Sequence, residues 1–413
     1  MNDNEIDVAI VGLGYVGLPT LALAVESGLR VHGVDIDVEK INDLKVLNIS
    51  DEEPGVLNLI ANGLHKGNLT VSTEIKSAKY YVVCVPTPFM ISSNNVPEAD
   101  LTSVMSAVSE IVKVIKGGQT IIIESTCPVG TTERIFEYLT RELIDPVSGN
   151  VVTNFHLAYC PERVLPGNAL EEIKHNNRVI GGVTPLCSAS AAAFYHHFVE
   201  GKLAQTNAKT AELTKLVENS YRDTQIAFAN EIHLIADSLM INVWELIDLA
   251  NMHPRVEILK PGPGVGGHCL AVDPWFVVAK NPNEAKLIKA ARLQNEAKPD
   301  FVIEKVKLIN GLHKNPRIVC LGLSYKPNVG DLRESPSLKI FQRLSEIFHS
   351  RVYAVEPNIN QTMFQNLLSL DELDASDLLV YLVDHEEFKD INISKYTTVD
   401  MQGVSWSTQG ARQ

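Results

Sequence analysis

The stretch DVAIVGLGYVGLP, Asp7 to Pro19, constrains the fold of this 413-residue chain more than any other. Asp7 to Val11 reads as a buried β-strand that runs into Gly12-x-Gly14-x-x-Gly17 and then an alanine- and leucine-rich helix to about Ser27. A second strand, RVHGVDID, follows with Asp35 at its end. Three glycines alone make only a turn. Strand, glycines, helix, second strand and acid in that order predict a dinucleotide site. Gly12 permits the tight turn, Gly14 lets a pyrophosphate approach the backbone, and Gly17 allows close helix–strand packing. The helix start offers N–H groups and a positive dipole end to phosphates. Asp35 stands 18 residues beyond Gly17, near the spacing of about 20 at which a carboxylate accepts the ribose hydroxyls. That carboxylate would repel a 2′-phosphate, so the expected cofactor is NAD rather than NADP.

Composition bounds the rest. Hydrophobic residues make up 45% and charged residues 21%, enough for two or three domains of roughly 150 residues each. Six cysteines (Cys84, Cys127, Cys160, Cys187, Cys269, Cys320) lie far apart, with no CxxC pair and no Cys/His cluster at zinc spacing. A reducing cytoplasm and no structural metal are expected. The acidic lead and short, glycine-rich apolar run at the N-terminus fit neither a signal peptide nor a bilayer span. A formal charge of −14 argues against a nucleic-acid surface, so cations that bind an anionic ligand must be gathered locally.

Further strands are expected in YYVVCVPTP (80–88), QTIIIESTCPVG (119–130), FHLAYCPERVLPG (155–167) and NRVIGG (177–182). In a doubly wound sheet ligands sit at the carboxyl ends of the strands, which places Thr87, Thr126 and Glu162 to face a bound molecule. Ordinary turn chemistry would account for the Pro-Thr-Pro and Thr-Cys-Pro segments equally well. From Thr206 to Met240 there is no proline or glycine, so one long helix is expected, capped by Thr206 or Asn207. Lys215, Asn219 and Arg222 share a face of it, and Leu213, Leu216 and Val217 are expected toward a core. A lysine and an amide one turn apart suit holding a hydroxyl oxygen and moving its proton; a solvated face would explain the lysine but not Asn219. The helix's length makes it the expected spine and dimer surface.

Beyond about Asn315 the rhythm returns with PRIVCLGLSYKPN, RVYAVEPN and ASDLLVYLVDHEEF as strands of a parallel sheet. Gly322 follows the first without the full glycine fingerprint. Lys326 and Arg333, in SYKPNVGDLRESPS, suit a second nucleotide or a plain charged loop. The tail GVSWSTQGARQ reads as disordered. The expected fold class is α/β, with two Rossmann-like doubly wound parallel-sheet domains joined by a long central helix and a helical middle domain. The boundaries are 1–203, 204–310 and 311–413.

GPGVGGHCLAVDPW, Gly262 to Trp275, sets Cys269 in a glycine run with His268 before it and Asp273 four residues after. A turn explains the glycines but not Cys269 or Asp273. Together with GLGYVGLP, STCPVG, CPERVLPG, LTKLVENSYRD, HPRV and SYKPNVGDLRESPS, this segment resembles the UDP-glucose/GDP-mannose dehydrogenases, in order, from Ile6 to about Val404. CPERVLPG and HPRV are similar to the bacterial branch that acts on UDP-N-acetyl-D-mannosamine.

The resemblance implies a four-electron oxidation of a sugar C6 alcohol to a carboxylate with two NAD. It makes Cys269 the nucleophile that turns the intermediate aldehyde into a thiohemiacetal and then a thioester, splitting a hard step into easier ones. The glycines would let the sulfur reach the sugar unobstructed. Lys215 would be the acid/base and oxyanion-stabilising cation, and Asn219 would help hold the oxygen. Asp273 and Thr126 would position water, and Glu162 would assist thioester hydrolysis. Tyr15, Val16, Asp35, Thr87 and Thr126 match the family's NAD contacts, beside Gly12, Gly14 and Gly17. Arg163, Val164, Lys215, Asn219, Arg222, His253, Arg255, Gly266, Tyr325, Lys326 and Arg333 match its nucleotide-sugar contacts, with Arg255 reaching a neighbouring subunit's site in a homodimer. Arg163, Arg222, Arg255, Lys326 and Arg333 would supply the local cations. His268 is read as structural or as tuning the thiol, and the other five cysteines as buried small hydrophobes. UDP-glucose or UDP-N-acetylglucosamine would fit the same chemistry. A two-electron β-hydroxyacid dehydrogenase needs neither Cys269 nor a third domain, and a non-enzymatic sensor leaves Cys269, Lys215 and Asp273 without purpose. Two, one or no NADH per sugar separates these readings.

Overall fold

The structure, a computed structural model, describes residues 5–49, 53–91, 97–143, 154–164, 167–313 and 315–406. The chain divides into two compact units, Met1–Val217 and Glu218–Gln413.

In the first unit the strands are β1 (Ile6–Val11), β2 (Val31–Val34), β3 (Leu69–Ser72), β4 (Ala78–Val83) and β5 (Phe89–Ile91). They continue with β6 (Pro97–Ala99), β7 (Gln119–Ile123), β8 (Phe155–Tyr159), β9 (Arg178–Gly182) and β10 (Leu203–Asn207). One sheet runs β10-β9-β8-β7-β4-β1-β2-β3, while β5 and β6 pair as a small antiparallel ribbon. Side chains alternate across the sheet. Val8, Ile10, Tyr80 and Val82 enter one core, and Ala9, Val11, Tyr81 and Val83 enter another. Because helices cover both faces, these strands are continuous apolar runs rather than alternating ones. The chain crosses from one side of β1 to the other between β3 and β4, so the ends of β1 and β4 flank the crevice where ligands of such sheets bind.

The doubly wound α/β class holds, with one difference from a wholly parallel sheet. β8 pairs β9 antiparallel, Ala158 with Gly182 and Tyr159 with Gly181. The carboxyl ends of β9 and β10 therefore point away from those of β1, β4, β7 and β8. Leu165 and Pro166, in the expected loop after β8, lie outside the described residues.

The long helix spans Ala208–Ser238. Thr206 belongs to β10, and Asn207 makes the cap by accepting the Thr210 N–H at 2.9 Å. Its faces correct the sequence reading. Leu216 is fully buried, but Leu213 and Val217 are 39% and 46% exposed. Its buried positions mix polar residues (Glu212, Lys215, Asp223, Asn230, His233) with alanines and Leu216, while Tyr221, Phe228 and Ile235 stand exposed with Leu213 and Val217. These exposed apolar side chains lie on the outer face beside charged residues such as Lys209 and Glu218.

In the second unit β11 (Ile318–Leu321), β12 (Val352–Val355), β13 (Leu378–Tyr381) and β14 (Thr397–Asp400) form a parallel sheet in the order β12-β11-β13-β14. Ile318, Cys320, Leu378 and Val380 face one core, and Val319, Leu321, Leu379 and Tyr381 the other. The helix Lys286–Gly311 is fastened to the long helix by Asp223, which accepts from Arg292 Nη1 at 2.6 Å and Asn295 Nδ2 at 2.8 Å. The expected disordered tail is ordered at its start. Asp400 accepts the Gly403 and Ser405 N–H groups, both at 2.8 Å, and the Trp406 indole donates to Asp248 at 2.9 Å. Residues 407–413 lie outside the described residues. Among the described residues no helix is long and apolar enough to cross a membrane.

Candidate active site

Gly12 turns at φ +95°, and a Cβ there would stand 2.8 Å from the Cys84 carbonyl at the end of β4. At Gly17 a Cβ would fall 1.8 Å from the Gly12 oxygen, whereas nothing lies within 4 Å of the Cβ position on Gly14. The turn is closed where helix meets strand and open where a phosphate would approach. The helix Gly17–Glu26, with Val16 as its N-terminal flank, has no side-chain cap, which leaves its first N–H groups to a ligand. Asp35 braces the turn: its Oδ2 accepts the Leu13 N–H at 2.9 Å and Lys40 Nζ at 3.1 Å, and its Oδ1 the Asp37 N–H at 3.0 Å. Although burial opposes it, these hydrogen bonds and Lys40 hold the Asp35 carboxyl below its ordinary pKa. The residues present fit a dinucleotide. Tyr15, 41% exposed, donates its hydroxyl to the Val164 carbonyl at 3.1 Å.

Thr87 is buried after β4, and Thr126 is half-buried after β7. Glu162, beyond β8, accepts the Val164 N–H. Burial raises its carboxyl pKa, against the lowering charge of Lys215. Arg163 donates to the Asn177 carbonyl. Lys215 is only 7% exposed, and no hydrogen bond or ion pair occupies its ammonium among the described residues. Its nearby charge acts on Glu162, but with no direct hydrogen bond its N–H donors are left for a ligand.

In the second unit Cys269 is exposed in the turn before the helix Asp273–Lys280, and its carbonyl accepts the Val272 and Asp273 N–H groups at 3.0 and 2.8 Å. Asp273 is 3% exposed and accepts from Asn219 Nδ2 at 2.6 Å. Two of the glycines also have a packing reason. A Cβ on Gly266 would meet the Glu334 oxygen at 2.7 Å and Pro336 and Tyr325 at 2.8 Å, and one on Gly267 the Tyr325 ring at 2.9 Å. Gly267 also donates its N–H to the Arg333 carbonyl at 3.1 Å. The loop around Tyr325 therefore lies directly on the cysteine loop. His268 reaches solvent, yet the packing around its ring and the Arg333 charge lower its pKa. The lowered pKa works against a cationic His268 beside the thiol.

The other proposed contacts are less drawn together. Arg222, His253 and Arg255 are exposed, the Arg255 N–H donating to His253 Nδ1 at 3.3 Å. Lys326 is half-buried, and Arg333 is paired with Asp331, Nη2 to Oδ2 at 2.6 Å. Arg163 belongs to the first unit and Arg222, Arg255, Lys326 and Arg333 to the second, so neither unit by itself holds the whole cationic set.

Several residues escaped the sequence reading. Glu212, three before Lys215, accepts the Gly130 and Thr132 N–H groups at 2.6 and 2.7 Å and the Thr132 hydroxyl at 2.6 Å. It ties the Thr126 loop to the long helix. A glutamate on the Lys215 face was the available signal. Beneath the ends of β4, β7 and β8, buried Glu124 accepts from Arg178 at 3.0 Å, Tyr195 at 2.6 Å and Cys84 at 3.2 Å. Cys84 and Cys160, which takes a 3.5 Å contact from Arg178, are thus members of a polar network and not simple hydrophobes.

Three family models match this chain in succession. The NAD binding domain of the UDP-glucose/GDP-mannose dehydrogenase family covers residues 6–199, its central domain 209–297 and its UDP binding domain 319–405. UDP-N-acetyl-D-mannosamine dehydrogenase of Campylobacter jejuni is 46% identical over 399 residues, 94% of this chain and 97% of its own. NDP-N-acetyl-D-galactosaminuronic acid dehydrogenase of Ralstonia nicotianae is 41% identical over 98% of this chain and 99% of its own. The solved UDP-N-acetyl-mannosamine dehydrogenase of Staphylococcus aureus superposes with a TM-score of 0.85 at 39% identity, covering 96% of this chain and 95% of that one. With the dinucleotide turn in one unit and the cysteine loop packed on a nucleotide-type loop in the other, the chain belongs to the UDP-glucose/GDP-mannose dehydrogenase family.

Proposed function

We propose that the protein oxidises the C6 alcohol of UDP-N-acetyl-D-mannosamine to the uronate in two NAD-dependent steps through a covalent bond to Cys269. The observation that carries this reading is an exposed cysteine on a glycine loop, four residues before a buried Asp273 that Asn219 holds at 2.6 Å. NAD, held by Gly12, Gly14, Tyr15, Val16, Gly17, Asp35 and Thr87, supplies the electron acceptor for each oxidation.

Lys215 steadies the C6 oxygen; C6 gives up the first hydride to NAD while the hydroxyl proton leaves through Lys215 or a water on Asp273, which yields the aldehyde. Cys269 Sγ then bonds to the aldehyde carbon, giving a thiohemiacetal whose oxygen Lys215 and Asn219 hold. Loss of the second hydride leaves a thioester. Thr126 and Asp273 position water, Glu162 takes its proton, and the carbon–sulfur bond breaks to release the acid and the thiol. Arg163, Val164, Arg222, His253, Gly266, Tyr325, Lys326 and Arg333 bind the nucleotide-sugar. The chain divides by task at 1–203, 204–310 and 311–413.

A homodimer fits the same reading. Leu213, Val217, Tyr221, Phe228, Ile235 and Leu239 leave an apolar stripe exposed along the long helix, which a second copy would cover, with exposed Arg255 serving the partner's site. Light scattering giving a monomer would remove this part. Free cysteines throughout support a cytoplasmic location.

The test is stoichiometry across a panel of UDP- and GDP-sugars. Two NADH per UDP-N-acetyl-D-mannosamine are expected, and Cys269→Ser abolishes acid formation while NAD still binds. One NADH per sugar, or full activity in Cys269→Ser, refutes the covalent route.

A further inference from the structure

Glu356 and His385 are both completely buried in the second unit, one after β12 and the other after β13. Glu356 Oε2 accepts the Leu323 and Ser324 N–H groups at 2.7 and 3.0 Å and lies 3.1 Å from His385 Nε2. His385 Nδ1 is 3.0 Å from the Asn328 N–H and 3.0 Å from the Asn358 side-chain amide. A backbone N–H can only donate, so Nδ1 is the acceptor. The ring proton therefore sits on Nε2 and points at Glu356. The Asn328 side chain is held as well, its Oδ1 accepting the Glu386 N–H at 2.9 Å. Both ends of the turn 323–328 thus hang on one buried carboxylate–imidazole pair. The span between them carries Tyr325 and Lys326, and Tyr325 is the ring that lies on Gly266 and Gly267.

We infer that His385 and Glu356 are positioning residues for the nucleotide half of the substrate, acting through the turn 323–328. The inference rests on the reading of Tyr325 and Lys326 as nucleotide-sugar contacts. Neither buried residue reaches the ligand itself. Each presents the backbone that does, and a neutral His385 is required because a proton on Nδ1 would face two donors.

UDP binding by calorimetry, beside NAD binding and KM for UDP-N-acetyl-D-mannosamine, tests this on the full chain. His385→Leu removes the ring's hydrogen bonds to Glu356, the Asn328 N–H and the Asn358 amide and is expected to weaken UDP about 10-fold, the order of one to two net hydrogen bonds. KM for the sugar rises in parallel, with NAD affinity and kcat unchanged. His385→Asn keeps an acceptor for the Asn328 N–H and restores most of the UDP affinity, whereas His385→Gln, which keeps only the donor toward Glu356, does not. If His385→Leu fails to fold, the Asn and Gln pair decides alone. Equal UDP affinity in wild type, His385→Asn and His385→Gln overturns the inference. Because UDP is the probe, a wild-type chain that binds UDP but oxidises no UDP-N-acetyl-D-mannosamine refutes the functional reading and leaves this comparison intact.

Discussion

In the first unit Gly12 turns at φ +95° and Leu13 donates its N–H to Asp35 after the neighbouring strand. In the second, Gly322 turns at φ +87° and Leu323 donates to Glu356 after its neighbouring strand. The glycines have the same steric reason: a Cβ on Gly12 would strike Cys84 at 2.8 Å, and one on Gly322 would strike Val383 at 2.3 Å. From there the two units diverge. The first opens an uncapped helix at Gly17; the second delays its helix to Pro336 and caps it with Ser335, which accepts the Leu338 N–H at 3.2 Å. The second therefore has no bare helix end for a pyrophosphate, and the loop 323–335 lies between its glycine and its helix. The same strand-turn start leads in two directions because the chain parts after the glycine, into a helix in one unit and into a loop in the other.

The sharpest way to break this comparison is to give each turn a methyl group. Gly17→Ala places a Cβ 1.8 Å from the Gly12 oxygen and should weaken NAD by about 100-fold or more, measured by fluorescence titration. Gly322→Ala should cost about 1–3 kcal/mol in the melting of the second unit while NAD affinity holds. Loss of NAD binding in both variants would mean the two turns are not separate in task.

The buried carboxylates sharpen it further. Burial acts first on both Glu162 and Glu356 to raise their pKa values. It wins at Glu162; at Glu356 hydrogen bonds from His385 and the backbone reverse it and hold the carboxyl low. The signs then separate the two on acidification. Glu162, proposed to act as a carboxylate, protonates above its ordinary 4.5. Glu356, with its folded pKa lowered, keeps stabilising the second unit until pH falls below 4.5. Thioester hydrolysis should therefore fail on acidification before the second unit loosens. Glu162→Gln should slow that step about 100-fold and erase its acid limb in a single-turnover pH profile. An unchanged limb would remove Glu162 from the chemistry.

The smallest effect is expected at Lys40. Its ion pair with Asp35 is 3.1 Å long but partly exposed, so Lys40→Ala should alter NAD affinity by about 3-fold at most. A larger loss would show that Asp35 depends on Lys40 and not on the Leu13 and Asp37 N–H groups.

How far the chain could be read before folding depends on the range of each interaction. Local patterns carried the glycine turn, Asp35, the doubly wound class and the Cys269–Asp273 spacing, because each depends on neighbours a few residues away. β3, β5, β6, β10 and β14 were missed for want of distinctive boundaries and not for shortness, since β2, β11, β12 and β13 are only four residues long. The long helix was found, with Leu216 inside as expected and Leu213 and Val217 outside. Apolar spacing did not reveal that Glu212, Lys215 and Asp223 are also inside, and the partners Thr132 of Glu212 and Arg292 and Asn295 of Asp223 lie 80, 69 and 72 residues away. The sequence by itself determined which residue types could do the chemistry. Tertiary structure alone decided why two positions of the cysteine loop have no room for a side chain, that Arg333 is already paired with Asp331, and that His385 and Glu356 support the Tyr325 turn. Those facts are contacts and hydrogen bonds made in the folded chain, most of them between segments far apart in sequence, and no local pattern records them.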